Sequence, residues 1–230
     1  MSDLLADGYI GALRSVRMHV SVDGFGARRM GYLAYTVSTE NFSELLPIFG
    51  GHFLDILFRH VGFPVTLSAL TANQIKEVTI VDTGATLPRT NPDRVLLHGT
   101  FANGAVLTVQ LEAGKRNNFG VQIDLTGTEG DLRNTNATSF GSTDNVVESA
   151  RGDAQPLQVL PVPADYNWVP GGDTLSGSVA EVAHLYAAYA RDVRDGTQLA
   201  PTFADAVKMH LIIDQIVNTA PLGMRITMPD

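Results

Sequence analysis

VLLHGTFANGAVLTVQL, residues 95–111, reads as two extended runs around an Asn-Gly pair. Val95–Thr100 and Ala105–Leu111 flank Asn103-Gly104, and Asn-Gly suits the positive backbone dihedrals of a type I′ hairpin turn. In the second run Leu107, Val109 and Leu111 fall on one face, and Val106, Thr108 and Gln110 on the other. Upstream, Val16, Met18, Val20 and Val22 alternate with Arg17, His19 and Ser21, the pattern of a half-buried strand. Downstream, Phe119, Val121, Ile123 and Leu125 alternate with Gly120, Gln122, Asp124 and Thr126. Gly127–Gly130 then turns the chain into Asp131-Leu132. These are antiparallel strands with one apolar face and one mixed face.

Around this core the pattern alternates with helices. Gly51–Val61 reads as a helix opened by Gly50-Gly51 and ended by Gly62 and Pro64. Val65–Ala69 and Val78–Val81 read as strands, and Tyr32–Val37 as a short extended piece. Residues 133–173 are polar and rich in Gly and Pro, with Leu157, Val159, Leu160, Val162, Tyr166 and Trp168 available for packing. Ser178-Val179-Ala180-Glu181 fits a capping box. It opens a helix with the apolar stripe Val182, Leu185, Tyr186, Tyr189 and Val193, ended by Gly196. Thr202 caps a second helix with the stripe Phe203, Ala206, Val207, His210, Leu211 and Val217. Met224–Met228 is a last short strand. The order predicts an α+β fold: an open, mostly antiparallel sheet with helices packed on one face, as one domain over residues 1–230.

Sixteen Lys and Arg stand against 24 Asp and Glu, for a net charge of -8. The only basic clusters are Arg28-Arg29 and Lys115-Arg116, which argues against nucleic acid or an anionic membrane as partner. The chain has no cysteine, so disulfides, zinc–cysteine sites and iron–sulfur clusters are excluded. MSDLLADGYIG lacks a signal-peptide core, and no run approaches the ~18 apolar residues of a membrane span. The expectation is a soluble cytoplasmic protein.

Several pieces, in order, resemble the C-terminal domain of the Gfo/Idh/MocA oxidoreductases. They are Gly8-Tyr9-Ile10-Gly11, Gly50-Gly51-His52-x-x-Asp55, Phe101-Ala102-Asn103-Gly104-Ala105, Gly127-Thr128-Glu129-Gly130-Asp131, and Phe203 with Ala206, His210, Ile213, Asp214 and Ala220. The GGHFLD form looks closest to the galactose-regulon-repressor-like subgroup, which includes a member that regulates rather than catalyses. The resemblance implies a substrate-binding and oligomerising domain. In the family its partner is an N-terminal Rossmann domain that binds NAD(P). Hydride passes between the nicotinamide and a sugar or cyclitol carbon, assisted by a lysine of the first domain and a histidine of the second. That histidine maps to His52.

The family pattern is incomplete here. The Rossmann half is absent from these residues, and no E-K-P segment supplies the lysine. Gly24-Phe25-Gly26 has Arg29 where a dinucleotide loop would carry its third glycine. Many catalytic members carry an aspartate four residues before the histidine, and that position is Ile48. No cofactor is therefore expected on this chain alone. NAD(P) is implied only if a Rossmann domain is supplied, which makes a separate Rossmann-domain chain a candidate partner. Two readings stand: the substrate half of a sugar or cyclitol oxidoreductase, or a non-catalytic dimeric binding or regulatory module derived from it.

His52 is the candidate general acid or base, since an imidazole serves near pH 7 with little tuning. Asp55, one turn on, can bond its ring, bind substrate or favour a helix start. Arg116 and Asn117 can reach a sugar hydroxyl or form a solvated turn, and Tyr166 and Trp168 can stack on a sugar ring or cover the sheet. No metal site is evident. The mixed outer face of the sheet predicts a homodimer through it.

Overall fold

The computed structural model describes residues 1–117, 120–137 and 145–227. Phe119, expected in a strand, and Met228, expected to end the last one, lie outside the described residues. The helices are α1 (Ser2–Ala6), α2 (Gly51–Val61), α3 (Gly177–Asp195) and α4 (Phe203–Thr219). The strands are β1 (Leu13–Ser21), β2 (Arg28–Arg29), β3 (Thr66–Ala72), β4 (Glu77–Ile80), β5 (Thr86–Pro88) and β6 (Arg94–Thr100). They continue as β7 (Val106–Glu112), β8 (Gly120–Gly127), β9 (Gly130–Asn136), β10 (Val146–Arg151), β11 (Gln158–Val159) and β12 (Arg225–Thr227).

Among the described residues the main sheet runs β11-β10-β9-β8-β1-β7-β6-β3-β12. The β1–β7 pair is parallel and the other neighbours are antiparallel. β2, β4 and β5 form a small second sheet. The alternation read from the sequence decides which face is covered. Val16, Met18 and Val20, Leu107, Val109 and Leu111, and Val121, Ile123 and Leu125 are all buried in one core. That core also holds Leu54, Leu57 and Phe58 of α2 and Met209, Ile212, Ile213 and Ile216 of α4. Each such fully buried side chain contributes about 1.5–3 kcal/mol. The fold is α+β, an open, mostly antiparallel sheet with α2 and α4 on one face.

The opposite face is open. Arg17, Asp124 and Arg133 sit side by side across β1, β8 and β9, with Asp124 bridging both arginines. Burial opposes ionisation of Asp124, but hydrogen bonds from Arg133, Gln122 and Arg17 hold its carboxyl below the usual range. Leu70, Leu96 and Val106 are exposed on the same face.

Five local expectations change. The 101–105 connection is not a type I′ turn. Gly104 alone is left-handed (φ 84°), while Asn103 accepts a hydrogen bond from Ala105 N–H through its side chain (3.0 Å). Residues 31–37 form a 3₁₀ helix rather than an extended piece. Thr36 Oγ1 donates to Leu33 O (2.6 Å), and Tyr32 and Tyr35 stay exposed, so no alternating face is buried. Residues 133–173 contribute the end of β9, β10 and β11, while Val159, Val162 and Tyr166 remain exposed. α3 begins at Gly177 with Ser176 in the cap position, so Ser178 is not its cap.

The largest change concerns the two helical stripes. Ala188 is the buried residue of α3; Val182, Leu185, Tyr186, Tyr189 and Val193 face outward. α4 buries Met209, Ile212, Ile213 and Ile216, leaving Phe203, Val207, Leu211 and Val217 exposed. α4 is apolar on two sides, and the side with Met209 and the three isoleucines packs on the sheet.

Candidate functional site

The glycine pair does not open a helix. Leu46–Gly50 is a π-helical turn that runs straight into α2, and Gly50 and Gly51 both have right-handed helical dihedrals. π turns occur mostly as single insertions and often at functional positions. His52 therefore sits inside a continuous helical segment, and no free helix N-terminus acts on it or on Asp55. Gly50 is needed for closeness: a Cβ there would meet Leu46 Cδ1 at 2.8 Å and Leu111 Cδ1 at 3.1 Å. Glycine lets the turn lie against Leu111 of β7.

His52 and Asp55 both line an open cleft of about 350 Å³ between α2 and α4. Ile48, Ile56, Met209 and Ile213 provide apolar wall, and Arg59, Thr202 and His210 add polar groups. Two imidazoles thus border one cleft. Asp55 is engaged along its own helix: Arg59 Nε donates to Asp55 Oδ2 at 2.8 Å. Arg59 also reaches Asp205 Oδ2 at 3.3 Å. Asp205 completes the capping box of α4 by accepting from Thr202 N–H (2.7 Å) and Thr202 Oγ1 (2.8 Å). Partial burial opposes the charge on Arg59, but Asp55 and Asp205 outweigh it and hold its guanidinium above the usual value. The same contacts, led by Thr202 N–H, hold the Asp205 carboxyl below the usual range.

The other four candidates stand elsewhere. Arg116 and Asn117 are exposed in the turn after β7, beyond Lys115, whose N–H bonds Val22 O. Tyr166 donates its hydroxyl to the carboxylate of Asp3 in α1. Trp168 lies under Arg191 of α3, with the guanidinium carbon 4.4 Å from the ring centroid. None of the four is among the residues lining the His52 cleft. Arg59, Thr202 and His210 were not singled out as ligands by the sequence. The i,i+4 Asp55/Arg59 spacing and the Thr202-x-x-Asp205 cap were the available signals.

The glycine-bearing loop after β1 does not fit a dinucleotide. Residues 23–27 run from β1 into the two-residue strand β2, not into a helix whose N-terminus could take a pyrophosphate. Arg29 is instead buried, donating to Thr36 O at 2.9 Å; burial, and secondarily Arg89, lowers its pKa to about 10. Among the described residues no group of three His, Asp or Glu could hold a metal. No helix among them is long and apolar enough to cross a membrane.

Comparison with known proteins fits this geometry. The family model for the Gal80p C-terminal domain matches residues 1–135. The galactose/lactose metabolism regulatory protein GAL80 of Saccharomyces cerevisiae is 28% identical over 156 residues, 63% of this chain and 36% of that protein. Its Kluyveromyces lactis counterpart is 27% identical over 156 residues, 63% of this chain and 34% of that protein. The chain thus spans about a third of the length of these relatives. Among solved structures, a super-repressor mutant of Gal80p from S. cerevisiae superimposes with a TM-score of 0.81 at 22% identity, over 100% of this chain and 62% of that one. Levoglucosan dehydrogenase in complex with NADH and L-sorbose gives 0.79 at 20% identity, over 99% of this chain and 62% of that one. One fold therefore occurs in a regulator and in a dehydrogenase, and the chain belongs to the Gal80p C-terminal-domain family.

Proposed function

We propose that this chain is the substrate-binding and oligomerising part of a Gfo/Idh/MocA-type oxidoreductase of sugars or cyclitols, working with a separately supplied cofactor domain. The observation that carries this reading is the cleft that His52 and His210 share. A polyol needs several donors and acceptors on an apolar floor. Arg59, Thr202 and the two imidazoles supply the first, and Ile48, Met209 and Ile213 the second. His52 would hold or move the proton of the reacting hydroxyl, and Arg59 would orient a neighbouring oxygen. NAD(P), bound by the other domain, would supply the hydride chemistry. The outer sheet face, with Leu70, Leu96 and Val106 exposed, would join two copies.

A second reading, a ligand-binding regulatory module, is favoured by Ile48. It puts an apolar wall where catalytic members carry an aspartate, and Asp55 is already committed to Arg59. The curated relatives are named as regulators.

Calorimetric titration with D-galactose, myo-inositol and levoglucosan tests the common core of both readings. Binding in the millimolar range, lost in His52→Ala, is expected. An intact chain that binds none of these polyols refutes both. Binding without turnover, once a cofactor domain loaded with oxidised NAD(P)⁺ is added, selects the regulatory module.

A further inference from the structure

The cleft between α2 and α4 carries an uneven charge. Among its lining residues Asp55 is the one carboxylate and Arg59 the one permanent cation. Asp205, outside the lining, takes a second share of the same guanidinium, with its Oδ2 3.3 Å from Arg59 Nη2. One positive group thus stands against two negative ones. Lys208 does not redress this: it is not a lining residue, and its ammonium lies 4.3 Å from the Phe63 ring centroid. Asp55 is also only half used. Its Oδ2 accepts from Arg59 Nε at 2.8 Å, while its Oδ1 accepts no hydrogen bond from any described residue. The Asp55 side chain is 30% exposed, and Pro47, Ile48 and Ile56 line the cleft with it. Apolar neighbours lower the local dielectric and strengthen the pull of the open oxygen on a cation.

We propose that the ligand of this cleft is a polyol bearing a primary amine, an amino sugar or an aminocyclitol, with its ammonium on Asp55 Oδ1. The inference rests on the reading of the cleft as a polyol site and names the class of polyol within it. An ammonium brings hydrogen-bond donors only, and with them the charge that the cleft lacks. A neutral polyol gains hydrogen bonds but no ion pair. A uronate or a sugar phosphate brings a negative charge to a guanidinium that Asp55 and Asp205 already neutralise. The volume, about 350 Å³, is at the lower end for small-molecule sites and admits one ring. The ring hydroxyls remain for Arg59, Thr202 and the two imidazoles. The order of affinity is therefore amine over neutral over acid. Because Asp55 is partly screened by water, the step from neutral to amine is about fivefold.

Calorimetric titration of the full chain at pH 7 with D-galactosamine, D-galactose and D-galacturonate reads this order on one ring. Scyllo-inosamine against scyllo-inositol reads it on a cyclitol and separates the two sources of the amine. The amine of the matching ring is expected to bind about fivefold tighter than its parent, with the advantage shrinking at high salt, and galacturonate more weakly than galactose. Asp55→Asn removes the charge with little change of shape and should bring amine and parent together. Arg59→Met leaves both carboxylates unpaired and should widen the ratio. A general loosening of the cleft would not move the ratio in opposite directions in the two variants. Equal affinity for amine and parent on both rings, galacturonate as the tightest ligand, or an amine preference that survives Asp55→Asn overturns the amine assignment and leaves the polyol site standing. A folded chain that binds none of the five overturns the polyol reading, and the amine assignment with it.

Discussion

Arg59 Nη2 lies 3.3 Å from Asp205 Oδ2, and through that pair the last turn of α2 is tied to the first turn of α4. The two helices form opposite walls of the His52 cleft, and one guanidinium, paired with Asp55 on its own helix and with Asp205 on the other, bridges them. Two residues distant in sequence thus act as a strut between the helix that carries His52 and the capping box that starts α4.

Replacing Arg59 by Met keeps the side-chain stem and removes the strut. Both partners are about a third or more exposed, so the loss of stability is about 0.5–1 kcal/mol, read as a lower urea midpoint at pH 7. The pH dependence has a fixed sign. The folded Asp205 carboxyl titrates below its unfolded value, so its stabilisation is present above about pH 4 and is lost as the pH falls through the folded value. The gap between wild type and Arg59→Met should therefore close on acidification below about pH 4. A gap that stays constant there would assign the effect to packing rather than to the Asp205 charge.

Thr202→Ala removes one half of the capping box. Asp205 N–H loses its acceptor, and the Asp205 carboxylate loses the Thr202 hydroxyl. The expected cost is about 1 kcal/mol, measured by chemical denaturation. Because Thr202 also lines the cleft, polyol affinity should fall in the same variant. Thr202→Ser should restore both.

What the sequence made legible was the sheet. Period-two alternation in residues 16–22, 106–111 and 120–125 places every inner residue correctly, because a strand has only two faces and one carries the core. The helices are less legible for a physical reason. α4 is apolar on two sides, and only the tertiary contact with the sheet chooses Met209, Ile212 and Ile216 over Phe203, Val207 and Leu211. The site divides in the same way. His52 and Asp55 stood out because glycines flank them, whereas Thr202 and His210 reach the cleft through long-range packing that no local pattern records. The glycine pair itself misled: it permits close approach to Leu111 rather than marking a helix start.

Gly127→Ala tests the edge of that packing. Gly127 sits at the end of β8, and a Cβ there would overlap the Ile10 carbonyl oxygen, a backbone atom that cannot swing aside. Glu129 N–H also bonds Ile10 O, so moving that carbonyl breaks the turn into β9. The loss should exceed about 2 kcal/mol, in the range of strained or overpacked sites. Gly8→Ala is the comparison. Its Cβ would meet nothing within 4 Å, and only the cost of its left-handed backbone (φ 69°) remains. A smaller loss at Gly127 than at Gly8 would contradict the close approach.

Glu44 sets the last expectation. It is buried next to the polar cluster of Arg89, Asn91 and Arg29, and its Oε2 has no hydrogen-bond partner. Its backbone carbonyl accepts from Ile48 N–H (3.1 Å), at the start of the turn that carries His52. Burial pushes the carboxyl up, and the nearby Arg89 charge only partly offsets it. A carboxyl with a raised folded pKa favours the folded state while it is protonated. That stability is present below the unfolded value, about 4.3, and is lost as the pH rises through the folded value. Glu44→Gln stays neutral throughout. It should match wild type near pH 4 and exceed it by about 1 kcal/mol at pH 8, the scale of a buried polar atom left unmade. Urea midpoints of the two proteins between pH 4 and pH 8 decide the sign. A wild type that is the more stable at pH 8 would mean that attraction to Arg89 outweighs burial, and that the cluster holds a working ion pair behind the His52 helix.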